Sequence, residues 1–242
     1  MRIPRIYTPQ ALTSNANVTL EQESSHHLLK VLRMDVGRPL ILFNGDGNQY
    51  TASISRIDKK MVVAIIQKQE HRPNTSPLKT ALAIGLSKGD RFDLVLQKAT
   101  ELGIDTIVPL FTERSAIKLN AERIDKKMAS WQNIIIGACE QCQRNVLPTL
   151  HPPQKLEDYL SSCDSDIKLV LHHRSKQALG TQQKPHSLSL LVGPEGGLSD
   201  GEIKQAEHHG FEALKLGERV LRTETAPLAA LSVVQFIWGD LG

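Results

Sequence analysis

The stretch LSLLVGPEGGLSDGEI, residues 188–203, decides the fold class of the larger part of the chain. Its first residues are apolar, as in a buried strand, and they run directly into Gly193-Pro194-Glu195-Gly196-Gly197. Ser199 and Glu202 then have the spacing of a capping box, which predicts the start of a helix. Glycines at such a junction let a ligand approach the backbone, although a plain glycine turn explains the same pattern. The stretch therefore predicts a strand, a candidate ligand loop and a helix.

The same alternation of strands and helices extends outward from this stretch. From residue 73 onward, apolar strand-like segments alternate with segments of helical periodicity, which predicts an α/β fold with a mostly parallel sheet covered by helices. The predicted strands are TALAIGL, IDTIVPL, IKLVL, LSLLVG and ALKL, and the predicted helices cover residues 90–102, 124–142, 199–209 and 227–238. The G-x-G-x-x-G spacing of a dinucleotide site is absent.

Residues 1–72 follow a different pattern and are predicted to form a separate, β-rich domain. Three segments alternate like strands, and Ser24 or Ser25 is predicted to cap one short helix through HHLLKVLR. The segment from His71 to Pro77 has two prolines and no apolar residue, which is typical of a linker. We therefore expect two domains, residues 1–72 and 73–242.

Composition sets limits on the class of protein. The 242 residues are 40% hydrophobic and 23% charged, which is ordinary for a globular protein, and no apolar stretch is long enough for a membrane span. Of the net charge of +3, the whole surplus lies in residues 1–70, where nine basic residues face six acidic ones. Such a surplus suits a phosphate backbone or a solvated surface. We expect a cytoplasmic protein.

The three cysteines do not predict a disulfide framework or a metal site. Cys139 and Cys142 are spaced as C-x-x-C, but they lie within a segment of helical periodicity, and a zinc site would need two more ligands at similar spacing. We interpret them as ordinary helix thiols and predict no metal.

A second segment, LGERVLRTETAP at residues 216–227, connects the last predicted strand to the last helix. Thr225 and Pro227 suit a helix start, but this structural role leaves Arg222, Thr223 and Glu224 unexplained. Two neighbouring loops, one rich in glycine and one mixing apolar and polar groups, could hold an adenosine between backbone amides and aliphatic walls.

The two loops VGPEGG-S and LGERVLRTETA together resemble those of the bacterial 16S rRNA (uridine-N3) methyltransferases of the SPOUT superfamily. The resemblance extends along the whole chain through RIPRIY, HHLLKVLRMDVG, LQKATELGIDTIVP, Glu113-Arg114-Ser115 and ACEQCQR. It implies an N-terminal PUA-like β-barrel that binds RNA, followed by a SPOUT-type domain with a trefoil knot. It also implies S-adenosyl-L-methionine as cofactor, 16S rRNA or the small ribosomal subunit as partner, and a homodimer.

By position, the resemblance also implies a cofactor site drawn from three strand ends. Its residues are Leu171, His172, Gly193, Pro194, Glu195, Gly196, Gly197, Leu216, Gly217, Val220, Leu221, Arg222 and Thr223.

Methylation at uridine N3 requires loss of the imide proton, so a base, or cations that stabilise the anion, must stand beside the target. The candidate catalytic residues are Arg222, Glu224, Arg114 and Arg144, and the candidate RNA contacts are Arg2, Arg5, Lys30, Arg33 and Arg91. For each arginine, a surface ion pair or a phosphate contact is the alternative.

Two other functions are compatible with the same loops. One is a SPOUT enzyme that modifies a ribose 2′-hydroxyl or a tRNA base. The other is a non-catalytic RNA-binding assembly factor, against which the intact GPEGG and RTET loops argue. A Rossmann methyltransferase is disfavoured, because TALAIGLSKGD stands where an acidic and glycine-containing motif would follow the first strand.

Overall fold

In a computed structural model, which describes residues 3–115, 121–172 and 184–242, the chain forms two compact units. The first unit comprises the chain up to Thr75 together with Cys139–Leu147, and the second comprises Ser76–Ala138 and Pro148–Gly242. The inclusion of residues 139–147 in the first unit is not predicted by the sequence. The domain boundary after residue 72 stays a prediction.

The first unit is built on a five-stranded sheet in the order β1-β3-β4-β5-β2. The strands are β1 (Arg5–Tyr7), β2 (Asn17–Thr19), β3 (Pro39–Phe43), β4 (Asn48–Asp58) and β5 (Met61–His71). β1 and β3 pair in parallel, whereas the other pairs are antiparallel. Alternate residues of these strands, including Leu40, Leu42 and Ile54, bury one apolar core.

The predicted short helix of the first unit exists, but its cap differs from the prediction. Helix α1 (Gln22–His26) continues as a π-helical segment over His27–Val31, and the residue before it is Glu21. Ser25 is buried instead, where its Oγ donates to the Leu20 carbonyl at 3.2 Å and accepts from the Val62 amide at 2.9 Å. The hydroxyl thus ties the helix to β5 rather than capping it.

The second unit contains a parallel sheet in the order β12-β10-β11-β6-β7-β8, with β9 also paired to β7. The strands are β6 (Lys79–Gly85), β7 (Thr106–Phe111), β8 (Thr149–Leu150), β9 (Gln154–Lys155), β10 (Ile167–Leu171), β11 (Ser187–Val192) and β12 (Glu212–Leu214). The helices are α2 (Asp90–Glu101), α3 (Ala121–Cys142), α4 (Leu156–Ser162), α5 (Asp200–His208) and α6 (Thr225–Trp238).

Helices cover both faces of this sheet. Leu190 and Leu191 are consecutive in β11 and point to opposite faces, yet both are fully buried. Leu191 belongs to a core shared with residues of α4 and α5, while α6 packs against β11 and α2. The near-continuous apolar character of β11 follows from this double coverage.

Two features of α3 and of the described helices bear on the class of protein. Burial raises the pKa of the Cys139 thiol to about 12, so this thiol stays protonated at neutral pH and is unsuited to redox chemistry. No helix within the described ranges is both long enough and apolar enough to cross a membrane.

Candidate functional site

Three loops meet at one edge of the parallel sheet of the second unit. Strands β12, β10 and β11 are neighbours, so their carboxyl ends, and the loops that leave them, lie side by side. The His172 amide donates to the Leu214 carbonyl at 3.1 Å and joins the ends of β10 and β12. Between the loops lies a cavity of about 250 Å³, which we call the loop cavity.

The loop cavity brings together residues that are distant in the sequence. Its lining is Leu171, His172, Val192, Gly193, Pro194, Glu195, Gly196, Gly197, Leu214, Leu216, Gly217, Arg219, Val220, Leu221, Thr223 and Ala226. Every predicted cofactor residue except Arg222 is in this set. Four lining residues were not predicted to belong to the cofactor site, although each adjoins or lies within a predicted segment: Val192, Leu214, Arg219 and Ala226.

Glycine is required where the wall of the loop cavity folds back on itself. A Cβ on Gly193 would lie 2.6 Å from the Leu198 nitrogen, closer than any side chain can stand to a backbone atom. Gly217 has a φ of +73°, the left-handed region that favours glycine. With aliphatic walls and exposed backbone, this cavity suits a nucleoside-containing cofactor.

Residues 193–197, which we call the glycine loop, are closely approached by strand β6 at Gly85. This residue was not predicted to belong to the site. A Cβ on Gly85 would lie 2.5 Å from Pro194 Cδ, so only glycine allows the end of β6 to pass beneath the loop. The available signal was a glycine at the end of an otherwise apolar strand pattern, which often marks a close approach of backbones.

Arg114, a predicted catalytic residue, holds the glycine loop from outside. Its Nη1 donates to the Gly196 carbonyl at 3.0 Å and to the Leu198 carbonyl at 3.3 Å. A Cβ on Gly196 would lie 3.1 Å from Arg114 Cβ, so the two residues are in close contact. The geometry gives Arg114 a positioning role for the loop, and its catalytic role stays a prediction.

Two carboxylates attach the glycine loop and the helix after it to neighbouring segments. Glu195 Oε1 accepts from the Lys88 amide at 2.8 Å and lies 3.6 Å from Arg91 Nη1. The predicted capping box is confirmed, since Ser199 Oγ accepts from the Glu202 amide and Glu202 Oε2 accepts from the Ser199 amide. The second oxygen of Glu202 accepts from the Glu113 amide at 2.8 Å. These contacts join the loop and the start of α5 to the segments that carry Lys88 and Glu113.

Arg222 and Glu224 lie in the turn that leads into α6. The Arg222 carbonyl accepts from the amides of Thr225 and Ala226, both at 2.9 Å, while its side chain is exposed and does not line the loop cavity. Glu224, rather than Thr225, precedes the helix, and its Oε2 is buried without a hydrogen-bond partner among the described residues. Glu224 is not among the residues that line the loop cavity, so its catalytic role stays a prediction.

The predicted basic residues of the first unit fall into two groups. Lys30 and Arg33 are exposed at the end of the π-helical segment. Arg5 and Arg144 are only 8% and 4% exposed. Arg5 donates to Gln49 and Asn145 and lies over the Phe43 ring, which does not favour the predicted RNA contact. Arg144 is buried in the first unit and is not among the residues that line the loop cavity. Arg2 lies outside the described residues.

Comparisons with known proteins agree with this architecture. The RNA methyltransferase domain family matches residues 74–235, and the RNA methyltransferase PUA domain family matches residues 20–67. Ribosomal RNA small subunit methyltransferase E of Buchnera aphidicola from Schizaphis graminum is 35% identical over 242 residues, 99% of this chain and 98% of the relative. The Bacillus subtilis protein of the same name is 30% identical, over 95% of this chain and 93% of its own length.

Two solved structures match over their whole length. A protein of Legionella pneumophila in complex with bound SAM has 45% identity and a TM-score of 0.96, with 100% of both chains covered. Ribosomal RNA small subunit methyltransferase E of Neisseria gonorrhoeae, bound to S-adenosyl methionine, has 38% identity and a TM-score of 0.92, again with 100% of both chains covered.

These likenesses confirm the predicted fold class, a SPOUT-type α/β domain with a parallel sheet preceded by a PUA-like domain, while the trefoil knot stays a prediction. The chain therefore belongs to the RNA methyltransferase family, together with the bacterial proteins named ribosomal RNA small subunit methyltransferase E.

Proposed function

We propose that this protein uses S-adenosyl-L-methionine to methylate N3 of a specific uridine in 16S rRNA of the small ribosomal subunit. The observation that carries the proposal is the loop cavity, because it gathers at one sheet edge the two loops that resemble those of the uridine-N3 methyltransferases. The S-adenosyl methionine in the Neisseria relative supports the choice of cofactor.

The residues of the loop cavity would bind the cofactor mainly through their backbone and aliphatic groups. Leu171, Leu216 and Leu221 offer apolar surface to an adenine ring, while the glycine loop brings backbone amides close to polar groups. When bound, the cofactor supplies an electrophilic methyl group on a sulfonium. Arg114 and Glu195 keep the loop in place, which lowers the cost of ordering it on binding.

The acceptor nitrogen must lose its proton for the reaction to proceed. The N3–H bond would break and its proton would pass to a base, while N3 forms a bond to the methyl carbon. The bond from that carbon to sulfur would break at the same time, so that a neutral thioether leaves. Glu224 is our candidate base because one of its carboxylate oxygens is buried and unpartnered among the described residues. The charges of Arg114 and Arg222 would favour the uridine anion through its O2 and O4.

RNA binding and self-association complete the proposal. N3 lies on the Watson–Crick edge, so the target uridine must be unpaired or extruded. The exposed Lys30 and Arg33 of the first unit are candidates for contacts to the RNA backbone. The exposed apolar residues of α6 are candidates for a homodimer interface. We place the protein in the cytoplasm, where its substrate is assembled.

Nucleoside mass spectrometry of 16S rRNA tests the reaction. RNA from cells that lack this protein should lose N3-methyluridine, and re-expression of the natural chain should restore it. Gly196→Trp should fail to restore it, because the bulky side chain would collide with Arg114, which lies 3.1 Å from the added Cβ and holds this wall of the loop cavity in place. Gly137→Trp, the same change on the exposed side of α3 with no atom within 4 Å of the added Cβ, should restore it.

Other outcomes would redirect the proposal. An unchanged level of N3-methyluridine, with another methylated nucleoside missing, would assign this SPOUT domain to a different RNA position. A purified protein that shows no S-adenosylmethionine binding by calorimetry would instead favour the non-catalytic assembly factor.

A further inference from the structure

A second cavity, of about 590 Å³, shares part of its lining with the loop cavity. Its lining comes from the start of α2, from Arg114 and from the glycine loop: Lys88, Gly89, Asp90, Arg91, Arg114, Glu195 and Gly196. Glu195 and Gly196 line both cavities, so this short segment is their shared wall. We call the second cavity the basic cavity.

The charges of the basic cavity favour an anion. Three cations face two carboxylates around it, and Glu195 is already engaged with the Lys88 amide and with Arg91. Arg114 directs one nitrogen to backbone carbonyls and keeps its positive charge beside the cavity. The amino end of α2, which begins at Asp90, adds partial positive charge.

Lys88 is the cation whose charge is least engaged by the protein. Its side chain is exposed, and within the described parts of the chain its Nζ has neither an ion pair nor a hydrogen bond. The backbone of the same residue is fixed, because its amide donates to Glu195 at 2.8 Å. The Lys88 side chain therefore starts from a fixed backbone, and its ammonium group can reach an anion in the basic cavity.

We propose that the basic cavity binds a backbone phosphate of the substrate RNA at or next to the target nucleotide, with Lys88 and Arg91 as the principal cations. This inference rests on the proposed function, because it takes the loop cavity as the cofactor site. A methyl acceptor must stand in van der Waals contact with its donor. A phosphate held across the shared wall would keep the attached nucleoside within reach of the loop cavity.

The salt dependence of RNA binding tests this proposal. Each phosphate contact made by a lysine releases counterions, so its removal lowers the slope of log K against log salt by about 0.7 to 1. Lys88→Gln removes the charge and leaves the backbone amide that holds Glu195. Binding of small ribosomal subunits, purified from cells that lack this protein, should weaken about four- to sevenfold at about 0.15 M salt.

Lys204→Gln is the matched control, since Lys204 is exposed on α5 and lines neither cavity. It should leave the slope unchanged, and both variants should bind S-adenosylmethionine as the natural chain does. A Lys88→Gln slope equal to that of the natural chain, or an equal loss in Lys204→Gln, would overturn the phosphate site. So would a loss of S-adenosylmethionine affinity in Lys88→Gln. Subunit binding with the expected slopes, but without methylation, would contradict the proposed function and leave the phosphate site supported.

Discussion

Among the glycines that line the loop cavity, Gly193 has the least space for a side chain. A Cβ there would lie 2.6 Å from the Leu198 nitrogen and 2.7 Å from the Gly197 carbonyl carbon. Gly193→Ala should therefore force the loop open and weaken S-adenosylmethionine binding by at least about tenfold, or ~1.4 kcal/mol, in calorimetry.

The control change Gly137→Ala should stabilise the fold and leave S-adenosylmethionine binding unchanged. Gly137 lies on the exposed side of α3, and no atom stands within 4 Å of an added Cβ. Alanine should raise the free energy of unfolding by about 0.5–1 kcal/mol. Unaltered cofactor affinity in Gly193→Ala would show that the loop adapts and is not the fixed wall we describe.

Single residues also mark the limit of what the sequence predicts about the site. The glycine loop is predictable because strand, glycines and capping box are contiguous within residues 188–203. The burial of Arg5 is not, because its partners Gln49 and Asn145 are 44 and 140 residues away. From the sequence alone, an arginine is predicted to be exposed, because its burial requires acceptors that only the folded chain places around it.

At the scale of elements, side-chain contacts at the amino end of α5 stabilise the part of the fold that carries the loop cavity. Glu202 is buried and accepts from the amides of both Ser199 and Glu113, so it links α5 to the segment that carries Arg114. Glu202→Ala leaves the Ser199 N-cap in place but removes the reciprocal half of the capping box, so the amides of Ser199 and Glu113 lose this acceptor. The free energy of unfolding should fall by about 2 kcal/mol.

Denaturant unfolding followed by tryptophan fluorescence can measure this change, because Trp131 and Trp238 both belong to the second unit. Glu207→Ala, at an exposed position of the same helix, should change stability by less than about 0.5 kcal/mol. Equal effects of the two substitutions would mean that the contacts of Glu202 contribute nothing specific.

The elements themselves were predictable to different degrees. Long periodic segments such as α2 and α3, and apolar strands such as β10 and β11, lie where their patterns predict them. The two- and three-residue strands β1, β2, β8 and β9, and the short helix α4, were not predicted. All five are too short to show a clear period. The four strands depend on hydrogen bonds from a neighbouring strand that is distant in the sequence or follows a long helix.

At the scale of the whole molecule, residues 139–147, which comprise the last turn of α3 and the segment after it, belong to the first unit. Asn145 donates to the Arg72 carbonyl and accepts from Arg5, and Glu140 accepts from the Tyr7 amide at 2.9 Å. No periodic pattern predicts such an arrangement, because it depends on pairings between segments about 70 to 140 residues apart.

Glu140 should make stability depend on pH. Burial raises its pKa above the usual value of 4.5, and hydrogen bonding from Tyr7 and the charges of His27 and Arg5 only partly oppose this. A raised carboxyl pKa stabilises the fold at pH values below the unfolded pKa, and this contribution is lost as pH rises through the folded pKa. Glu140→Gln keeps an acceptor for Tyr7 without the charge, so its stability relative to the natural chain should increase from about pH 4 to pH 8.

Chemical denaturation followed by circular dichroism at several pH values would detect this trend. The same change at Glu23, an exposed residue of α1, serves as the control. A stability difference between Glu140→Gln and the natural chain that stays constant with pH would contradict the assigned role of burial.

An exposed apolar face of α6 is a candidate surface for the assembly of two copies. On α6, Val233, Phe236 and Ile237 have i, i+3 and i+4 spacing and therefore share one face, and Phe236 is 67% exposed. An apolar face of this kind on a monomer is a candidate for a subunit interface, in keeping with the homodimer that the SPOUT resemblance implies. Phe236→Glu should place a charge in that interface and shift sedimentation toward the monomer, while Ile57→Glu, at an exposed apolar residue of the first unit, should leave it unchanged. If Phe236→Glu sediments as the natural chain does, α6 does not form the interface, and the dimer must either use another surface or not exist.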